Sequence, residues 1–352
     1  MSQPVVSLLV LNWNGQRYLQ KCLNALQQQS YRDFEIVLVD NGSTDGSVAL
    51  LKSNFGEWLT NEAGLPRLRL LELPRNTGFS GGNLAGLAAS DPASRYIATL
   101  NNDTQADPLW LETLVRALEK ESRWGAACGP MLFATQQDQP TPKIAAAGIE
   151  VRRNGLALDR QLGETWQPDE PPQEIFGPCA GAALYRRTAL EQVSFFDPAF
   201  FAYLEDADLA WRLRLAGWPT IYLPSSPVWH EYSGTGGQGS PFKNFQLGRN
   251  RSWVILKNWP GKLLLRHGLS ILFYDLAASV YTLLKGDIQP SRGRLVSLAP
   301  KHLGRVWRQR REIQRNRKAS LAELKKWLIE APGLRENLRL RKSADNLAAP
   351  NL

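Results

Sequence analysis

Cysteine is scarce in this chain of 352 residues, and its three copies, Cys22, Cys128 and Cys179, have no close spacing. An odd, scattered set argues against a disulfide framework or a zinc site and fits a reducing compartment. The first apolar run, residues 5–11, also lacks the basic flank that precedes the apolar core of a secretory signal. The sequence therefore predicts a cytoplasmic protein.

The chain also has fewer acidic than basic residues, and its formal net charge at pH 7 is +9. The excess is confined to one region. Residues 285–345 hold 17 Lys and Arg against 6 Asp and Glu, whereas residues 1–284 hold 25 against 27. The body is nearly neutral, and the basic tail predicts an anionic partner, either lipid or nucleic acid.

Apolar runs of strand length alternate with helical patterns over the first 120 residues. The predicted strands lie at 5–11, 34–39, 68–73 and 96–100, and the predicted helices at 18–26, 48–51, 85–89 and 109–119. This βαβα order predicts an α/β fold with a parallel sheet and right-handed crossovers.

Three apolar runs each end in a polar cluster that contains an acid. The acids are Asp40, Asp103 and the adjacent pair Glu205 and Asp206. Open α/β sheets build their ligand sites at the carboxyl ends of the strands. Three acids that are distant in sequence are therefore expected to meet in one crevice.

Each of these motifs also has a purely structural interpretation. Asp40 and Asp103 stand where an acid often caps a turn or a helix, and Asp206 precedes a helix. His230 follows apolar residues and fits a packed core histidine. The glycine-rich segment 76–83 fits a flexible loop as well as a backbone that a flat ligand approaches closely.

Together, the motifs resemble those of family 2 glycosyltransferases with the GT-A fold. The resemblance covers about residues 4–260, and its matching strings, in order, are 6–15, 39–45, 76–83, 100–103, 196–208 and 229–235. The chain is most similar to bacterial rhamnosyltransferases of surface polysaccharide synthesis. The family implies a Rossmann-like, mostly parallel sheet flanked by helices over residues 1–260.

The resemblance also implies a role for each matching residue. Asp206 would be the catalytic base of an inverting transfer, and Asp103 and His230 would hold Mg²⁺ or Mn²⁺. The residues expected to bind the nucleotide are Leu11, Trp13, Asp40, Asn76, Gly78, Asn83 and Asn101. Those expected near the diphosphate or the acceptor are Glu205, Gly181, Ser233 and Thr235. Arg249 and Arg251 lie outside the matching strings and fit either a pair of cations for a lipid diphosphate or a solvated surface cluster.

The implied donor is a nucleoside-diphosphate-sugar, with dTDP or UDP favoured and rhamnose or another hexose as the sugar. The implied acceptor is a hydroxyl of a glycan or of an undecaprenyl-diphosphate-linked sugar. One departure affects the metal, because Asn101-Asn102-Asp103 keeps only the last acid of the family's DxD motif. We expect weak metal binding without nucleotide, and a catalytically degenerate nucleotide-sugar-binding protein stays an alternative.

The last part of the chain combines apolar and basic segments. Charged residues interrupt the apolar run 263–284, so it is predicted to lie on a membrane rather than to cross it. A short amphipathic helix is predicted at 321–329. We predict a helical, membrane-associated extension over 261–345, peripheral on the inner face of the cell membrane, and a disordered tail at 346–352. The alternative is that these helices only cover the catalytic domain.

Two other functions fit this sequence less well. A nucleotidyltransferase should carry a glycine-rich, basic phosphate loop near its N-terminus, where this chain has Asn12-Trp13-Asn14-Gly15. A nucleic-acid-binding protein would use the basic tail, but the body lacks interleaved basic and aromatic residues on a known module. The sequence therefore favours a glycosyltransferase without a nucleic acid partner.

Overall fold

The structure, a computed structural model, describes residues 5–60, 66–134, 140–231 and 240–330. The strands in these residues, β1 to β15, are Val6–Asn12, Phe34–Asp40, Leu68–Glu72, Tyr96–Asn101, Thr104–Ala106, Ala126–Cys128, Met131–Ala134, Pro140–Ala146, Ile149–Arg152, Ala157–Asp159, Gln173–Ile175, Ala182–Arg186, Thr220–Tyr222, Val228–His230 and Leu328–Ile329. The helices, α1 to α12, are Gln16–Gln27, Ser47–Asn54, Gly56–Leu59, Gly78–Ala89, Trp110–Lys120, Arg187–Val193, Glu205–Leu215, Pro241–Asn258, Gly261–Leu284, Gln289–Ser297, Pro300–Arg315 and Leu321–Trp327. A 3₁₀ turn spans Pro198–Phe200.

The central sheet has eight strands in the order β11-β13-β6-β12-β4-β1-β2-β3. Strands β4, β1, β2 and β3 are mutually parallel, as the βαβα pattern predicted. Strand β12 runs antiparallel to both β4 and β6. Two smaller sheets, β5-β14-β7-β8 and β10-β9-β15, lie beside it.

Alternating side chains of the parallel strands fill two apolar layers, one on each face of the sheet. Leu8 and Leu38 pack in one layer with the apolar face of α1 and with Trp110 of α5. Leu9 and Val37 point into the other layer. Strands buried on both faces leave only their ends for polar chemistry.

Helix α4 is longer than predicted. The sequence suggested a loop over 76–83 and a helix from residue 85, whereas α4 begins at Gly78. Gly82 and Gly86 face the sheet, and a Cβ on Gly82 would lie 2.3 Å from Cδ1 of Leu11. The flexible-loop interpretation was wrong for residues 78–83, because glycine lets this helix lie directly on strand β1.

The segment after Pro260 is helical and packs against the body. Val306 of α11 and Leu324 of α12 share an apolar cluster with Trp211 and Trp253. The chain then forms β15, which runs parallel to β9. The helix predicted at 321–329 therefore ends two residues early, because the edge of β9 pairs with Leu328 and Ile329. The predicted tail at 346–352 lies outside the described residues.

A buried cluster of charges joins α7, α8 and α11. The ammonium of Lys257, 1% exposed, lies 2.9 Å from Oδ2 of Asp197 and 3.0 Å from Oδ2 of Asp208. Arg305 of α11 also donates to Asp197, and Arg212 donates to Asp208. Although burial acts in the opposite direction, Lys257 and its cationic neighbours lower the pKa of both aspartates.

Replacing Lys257 with methionine should lower the free energy of unfolding by about 3–5 kcal/mol, because it removes the one cation shared by two buried carboxylates and leaves Asp197 with Arg305 and Asp208 with Arg212. The difference should shrink as the pH falls below about 4, because the aspartates of the variant then take up protons while the lowered pKa of the wild-type aspartates keeps them ionised. Lys52→Met is the matched control, since Lys52 pairs with Glu72 on the surface and that pair contributes about 0–1 kcal/mol. Urea titrations between pH 3 and pH 8 measure both variants, and equal losses would contradict the prediction.

Candidate active site

The carboxyl ends of three parallel strands meet through a chain of hydrogen bonds. Asn12 ends β1 directly opposite Asp40, and its Nδ2 donates to Oδ1 of Asp40 over 2.9 Å. On the other side, Nδ2 of Asn102 donates to Oδ1 of Asn12 over 2.6 Å. The backbone N–H of Ser43 donates to the second oxygen of Asp40 over 3.0 Å. Asp40 and the residue before Asp103 are thus held at one edge of the sheet.

Asn41, which sequence reasoning missed, ties this edge to the segment before α4. Its Oδ1 accepts from the backbone N–H of Thr77 over 2.9 Å, and its Nδ2 donates to Oδ1 of Asn76 and to the carbonyl of Gly78, both over 3.1 Å. The expected nucleotide residues Asn76 and Gly78 therefore stand beside Asp40. In the sequence, an asparagine at a turn that makes these contacts cannot be distinguished from one that only caps the turn.

The other residues expected to bind the nucleotide take different positions. Trp13 is 38% exposed just after β1, and Asn101 donates its backbone N–H to the carbonyl of Gly181 over 2.8 Å. Leu11 lies under Gly82. Asn83 is buried within α4 and donates to the carbonyl of Phe79 over 2.9 Å. Leu11 thus packs against the helix, and Asn83 binds a carbonyl of its own helix.

Asp103 and His230 are brought together by the pairing of β5 with β14. His230 lies opposite Thr104, and the backbone N–H of Glu231 donates to the carbonyl of Asp103 over 3.0 Å. Nε2 of His230 is 3.1 Å from Oδ1 of Asp103. Burial disfavours the protonated imidazole, but the carboxylate of Asp103 outweighs it and raises the pKa of His230.

These two side chains fit a divalent cation. Oδ1 of Asp103 is buried and makes no hydrogen bond to any described residue, although Nε2 of His230 is close. An imidazole and a carboxylate suit Mn²⁺, and carboxylate oxygen suits Mg²⁺. Within the described ranges, no group of three or more His, Cys, Asp or Glu side chains could hold a metal ion. Beyond these two side chains, oxygen atoms of a substrate or of water suit the remaining positions around such a cation.

Asp206 stands in the first turn of α7 and reaches the same edge of the sheet. Its Oδ2 is 3.4 Å from the backbone nitrogen of Ala180, and its Oδ1 accepts from the backbone N–H of Ala207 over 2.8 Å. Ala180 precedes Gly181, whose carbonyl binds Asn101 at the end of β4. The three acids expected to converge, at positions 40, 103 and 206, are therefore linked to neighbouring strand ends.

The adjacent acids Glu205 and Asp206 have different surroundings. Glu205 is 6% exposed, and its Oε2 has no hydrogen-bond partner in the described part of the chain. Burial, followed by the charge of Asp206, raises the pKa of Glu205 well above its usual range. Burial also raises the pKa of Asp206, but three backbone N–H groups, those of Ala207, Ala180 and Asp206 itself, oppose this shift. Asp206 is thus the acid of the pair that ionises.

Asp159 is a further acid near the site, and the sequence gave no reason to select it. It ends β10, opposite Ile149, and the backbone N–H of Ile149 donates to the carbonyl of Gly177 over 2.8 Å. Burial and the charge of Asp206 raise the pKa of Asp159 to about 7, while Lys243 and His230 act to lower it. These influences place Asp159 among the charged groups around Asp206.

The turn before α7 has an unusual backbone. Phe201, Tyr203 and Leu204 have φ angles of 64°, 71° and 66°. Left-handed conformations in residues other than glycine cost of the order of 1–3 kcal/mol each and persist only where the surroundings enforce them. The turn is also anchored to α4, since the carbonyl of Phe201 accepts from the backbone N–H of Ser80 over 3.0 Å.

Two arginines that were expected to bind a diphosphate have structural partners instead. Arg249 donates to the carbonyls of Ala199 and Phe200 over 3.0 and 2.8 Å. Arg251 donates to Oδ1 of Asp275 over 2.5 Å and also to the carbonyl of Asn154. The sequence could not distinguish these roles, because its helical spacing gives no information about distant carbonyls. Ser233 and Thr235 lie outside the described residues.

Comparison with known proteins agrees with this geometry. The sequence profile described as "Glycosyl transferase family 2" matches residues 7–194. This chain belongs to that family. The glycosyltransferase predicted from the sequence is therefore confirmed, and the nucleotidyltransferase alternative is set aside.

One relative of this family 2 glycosyltransferase is the N-acetylglucosaminyl-diphospho-decaprenol L-rhamnosyltransferase of Mycobacterium tuberculosis. The two are 28% identical over 275 residues, which cover 72% of this chain and 84% of the relative. The similarity confirms the predicted resemblance to rhamnosyltransferases of surface polysaccharide synthesis.

Two solved structures share the fold. GalNAc-T7 with UDP, GalNAc and Mn²⁺ superposes with a TM-score of 0.58 at 17% identity, covering 74% of this chain and 49% of that one. The mannosyltransferase PcManGT of Pyrobaculum calidifontis, in complex with GDP-Man and Mn²⁺, gives 0.51 at 15% identity, covering 90% and 86%. The predicted GT-A architecture with a helical C-terminal region is confirmed.

Proposed function

We propose that this glycosyltransferase moves a hexosyl group, with rhamnose favoured, from a nucleoside diphosphate to a hydroxyl of a lipid-linked glycan, with inversion at the anomeric carbon. The observation that carries the proposal is the convergence of Asp40, Asp103 and Asp206 at the carboxyl edge of one sheet. Each acid stands at a different strand or helix end. One sugar nucleotide lying along this edge would reach all three.

Asp206 is proposed as the general base. Its carboxylate takes the proton of the acceptor hydroxyl, whose oxygen then forms a bond to the anomeric carbon. The bond from that carbon to the diphosphate oxygen breaks at the same time, and its electron pair leaves with the nucleoside diphosphate. The carboxylate of Asp206, which accepts from backbone N–H groups and lies beside Glu205 with its raised pKa, meets the need for an ionised base.

The rest of the site divides between the nucleotide and the acceptor. Asp40 faces the nucleotide, with Trp13 and Asn76 beside it. Gly181 and Glu205 border the acceptor side, next to Asp206. The nucleotide is proposed to be dTDP or UDP, and the relative that uses a decaprenol-linked substrate supports an acceptor linked to a polyprenyl diphosphate such as undecaprenyl diphosphate.

Mg²⁺ or Mn²⁺ is proposed as the cofactor, held by Asp103 and His230 together with the diphosphate of the donor. A bound cation at this position would neutralise negative charge on the leaving diphosphate. The Mn²⁺ present with the two fold relatives supports this assignment. Asn101 replaces the first acid of the family motif, so the donor's oxygens have to complete the site.

The C-terminal helices are proposed to rest on an anionic membrane. Helix α9 is long and apolar enough to cross a membrane by length and composition, and only 11% of its most apolar 18-residue window is buried. Leu263 and Ile271 nevertheless pack on the body, and Asp275 pairs with Arg251 and Arg294. These attachments favour a helix that lies along the surface, peripheral on the cytoplasmic side.

The outward face of the extension suits such a surface. The exposed apolar side chains of α9 are Leu265, Leu269, Leu272, Phe273, Leu276, Val280, Leu283 and Leu284. Trp307, Arg308, Arg311 and Arg315 line one open groove on α11. Apolar contact combined with several cations, each contributing about 1 kcal/mol near anionic lipid, is sufficient for reversible docking.

Replacing Asp206 with asparagine should leave donor binding intact and reduce turnover by about 10²–10⁴-fold, because the acceptor loses its base. In the wild-type enzyme, kcat should fall on the acidic side with an apparent pKa above the usual aspartate value of about 3.9, since burial raises the pKa of Asp206. Calorimetry and initial rates with dTDP-, UDP- and GDP-sugars measure both effects. The exposed Asp169→Asn serves as control, and near-normal turnover in Asp206→Asn would exclude the assigned role.

Chelation with EDTA should suppress transfer, and added Mn²⁺ or Mg²⁺ should restore it. Asp103→Asn should raise the Mn²⁺ concentration needed for half-maximal activity by at least about 10-fold, because one of two protein ligands is lost. Asp107→Asn is the matched control, since Asp107 caps the segment before α5. Titration of Mn²⁺ by electron paramagnetic resonance with and without UDP gives a second readout. Full activity in chelator would remove Asp103 and His230 from metal binding.

The double substitution of Leu272 and Phe273 by glutamate should abolish co-flotation with vesicles that contain phosphatidylglycerol, while transfer to a soluble acceptor persists. Leu109→Glu is the matched control, because Leu109 is a 54% exposed leucine on the catalytic body. Wild-type binding should also weaken as salt rises. Wild-type protein that stays at the bottom of the gradient, or a double variant that floats normally, would contradict membrane docking.

A further inference from the structure

The turn at 200–204 comes directly before Asp206, and contacts from outside the turn maintain its left-handed conformation. Phe201 has φ 64° and ψ −68°, and the backbone N–H of Ala202 donates to the carbonyl of Phe200 over 2.8 Å, which defines a tight three-residue turn. Tyr203 and Leu204 follow with positive φ, and Leu204 is the N-cap residue of α7. Three residues with positive φ among four consecutive positions are unfavourable unless contacts from outside the turn stabilise them.

That support comes from one side chain of α8. Nδ2 of Asn250 lies 3.0 Å from the carbonyl oxygen of Phe200, 2.9 Å from that of Ala202 and 2.7 Å from that of Tyr203. Asn250 is fully buried. One side-chain amide thus contacts three backbone carbonyls of the turn. Arg249 also donates to the carbonyl of Phe200.

The held turn lies between the two halves of the proposed site. On one side, the carbonyl of Phe201 binds the backbone N–H of Ser80, and a Cβ on Gly78 would lie 2.4 Å from that same carbonyl. On the other side, the carbonyl of Leu204 accepts from the backbone N–H of Asp208 over 3.0 Å, which starts the helix that carries Asp206. A change in the turn would therefore move Asp206 relative to the donor.

We propose that Asn250 is a positioning residue for the transfer reaction: its amide holds the turn at 200–204 so that the carboxylate of Asp206 is aimed at the acceptor hydroxyl. This inference rests on the proposed role of Asp206 as base. Asn250 acts through the backbone of the turn and takes no part in proton transfer.

The test compares Asn250→Ala with Asn250→Ser, which keeps one donor and is the milder change if the alanine variant folds poorly. We expect kcat to fall by about 100-fold with a donor KM within about 2-fold of wild type. A displacement of the Asp206 carboxylate by about 1 Å slows proton transfer from the acceptor and leaves donor binding unchanged. Asn154→Ala, another buried asparagine of a turn, is the control expected to keep full activity.

A second substitution separates positioning from general stability. Leu204→Gly removes the steric barrier to the left-handed conformation. In the Asn250→Ser background it should restore kcat by about 10-fold, the factor expected when one left-handed residue loses its steric penalty. In the wild-type background the same change should leave kcat unchanged or slightly lower. A merely structural asparagine would instead show additive losses in the double variant.

The outcomes are distinct. Unchanged kcat in both Asn250 variants, or a further loss on adding Leu204→Gly, would overturn the positioning role while the Asp206→Asn result still supports the base. Normal turnover in Asp206→Asn would overturn the proposed function itself. A selective loss of kcat with glycine rescue, alongside an inactive Asp206→Asn, supports both.

Discussion

The hydrogen bond between Asn12 and Asp40 is the contact on which the arrangement of the site depends. The parallel register of β1 and β2 places these residues opposite each other. Asn12 also accepts a hydrogen bond from Asn102, the residue after β4. Because all three strands are buried on both faces, the polar residues at their carboxyl ends gather at this edge, whereas Ser7 and Glu35 bond to each other at the opposite end. The edge joins Asp40, which the proposal assigns to the nucleotide, to the segment that carries Asp103.

The opposite half of the site is built by helices that come from much later in the chain. Helix α7 begins with Glu205 and Asp206, and its orientation is maintained by the buried contacts of Lys257 with Asp208 and Asp197. Arg305 extends the same cluster into the C-terminal extension. The extension is thus attached to the catalytic body by buried ionic contacts as well as by an apolar cluster. If it docks on a membrane, the acceptor side of the site keeps a defined position relative to that surface.

Sequence reasoning was most successful where a local pattern decides the structure. The strands from β1 to β4 and the acids after them were predicted because their signals lie within a few residues. It was least successful for contacts between distant segments. Asn41 and Asn250 look like ordinary polar residues of a turn and a helix, and Asp159 is the last residue of an unremarkable short strand. Arg249 and Arg251 were expected to face a ligand, yet their carbonyl partners lie about 50 and 97 residues away in the chain.

By itself, the sequence determined the alternation of strands and helices, the family and the three acids at positions 40, 103 and 206, because periodicity and ordered motifs are local properties. Only the tertiary structure decided which polar side chains surround those acids. Hydrogen bonds such as those of Asn250 to the turn at 200–204 require an exact approach of segments about 50 residues apart. That approach is set by the packing of α7 against α8, which no local pattern encodes.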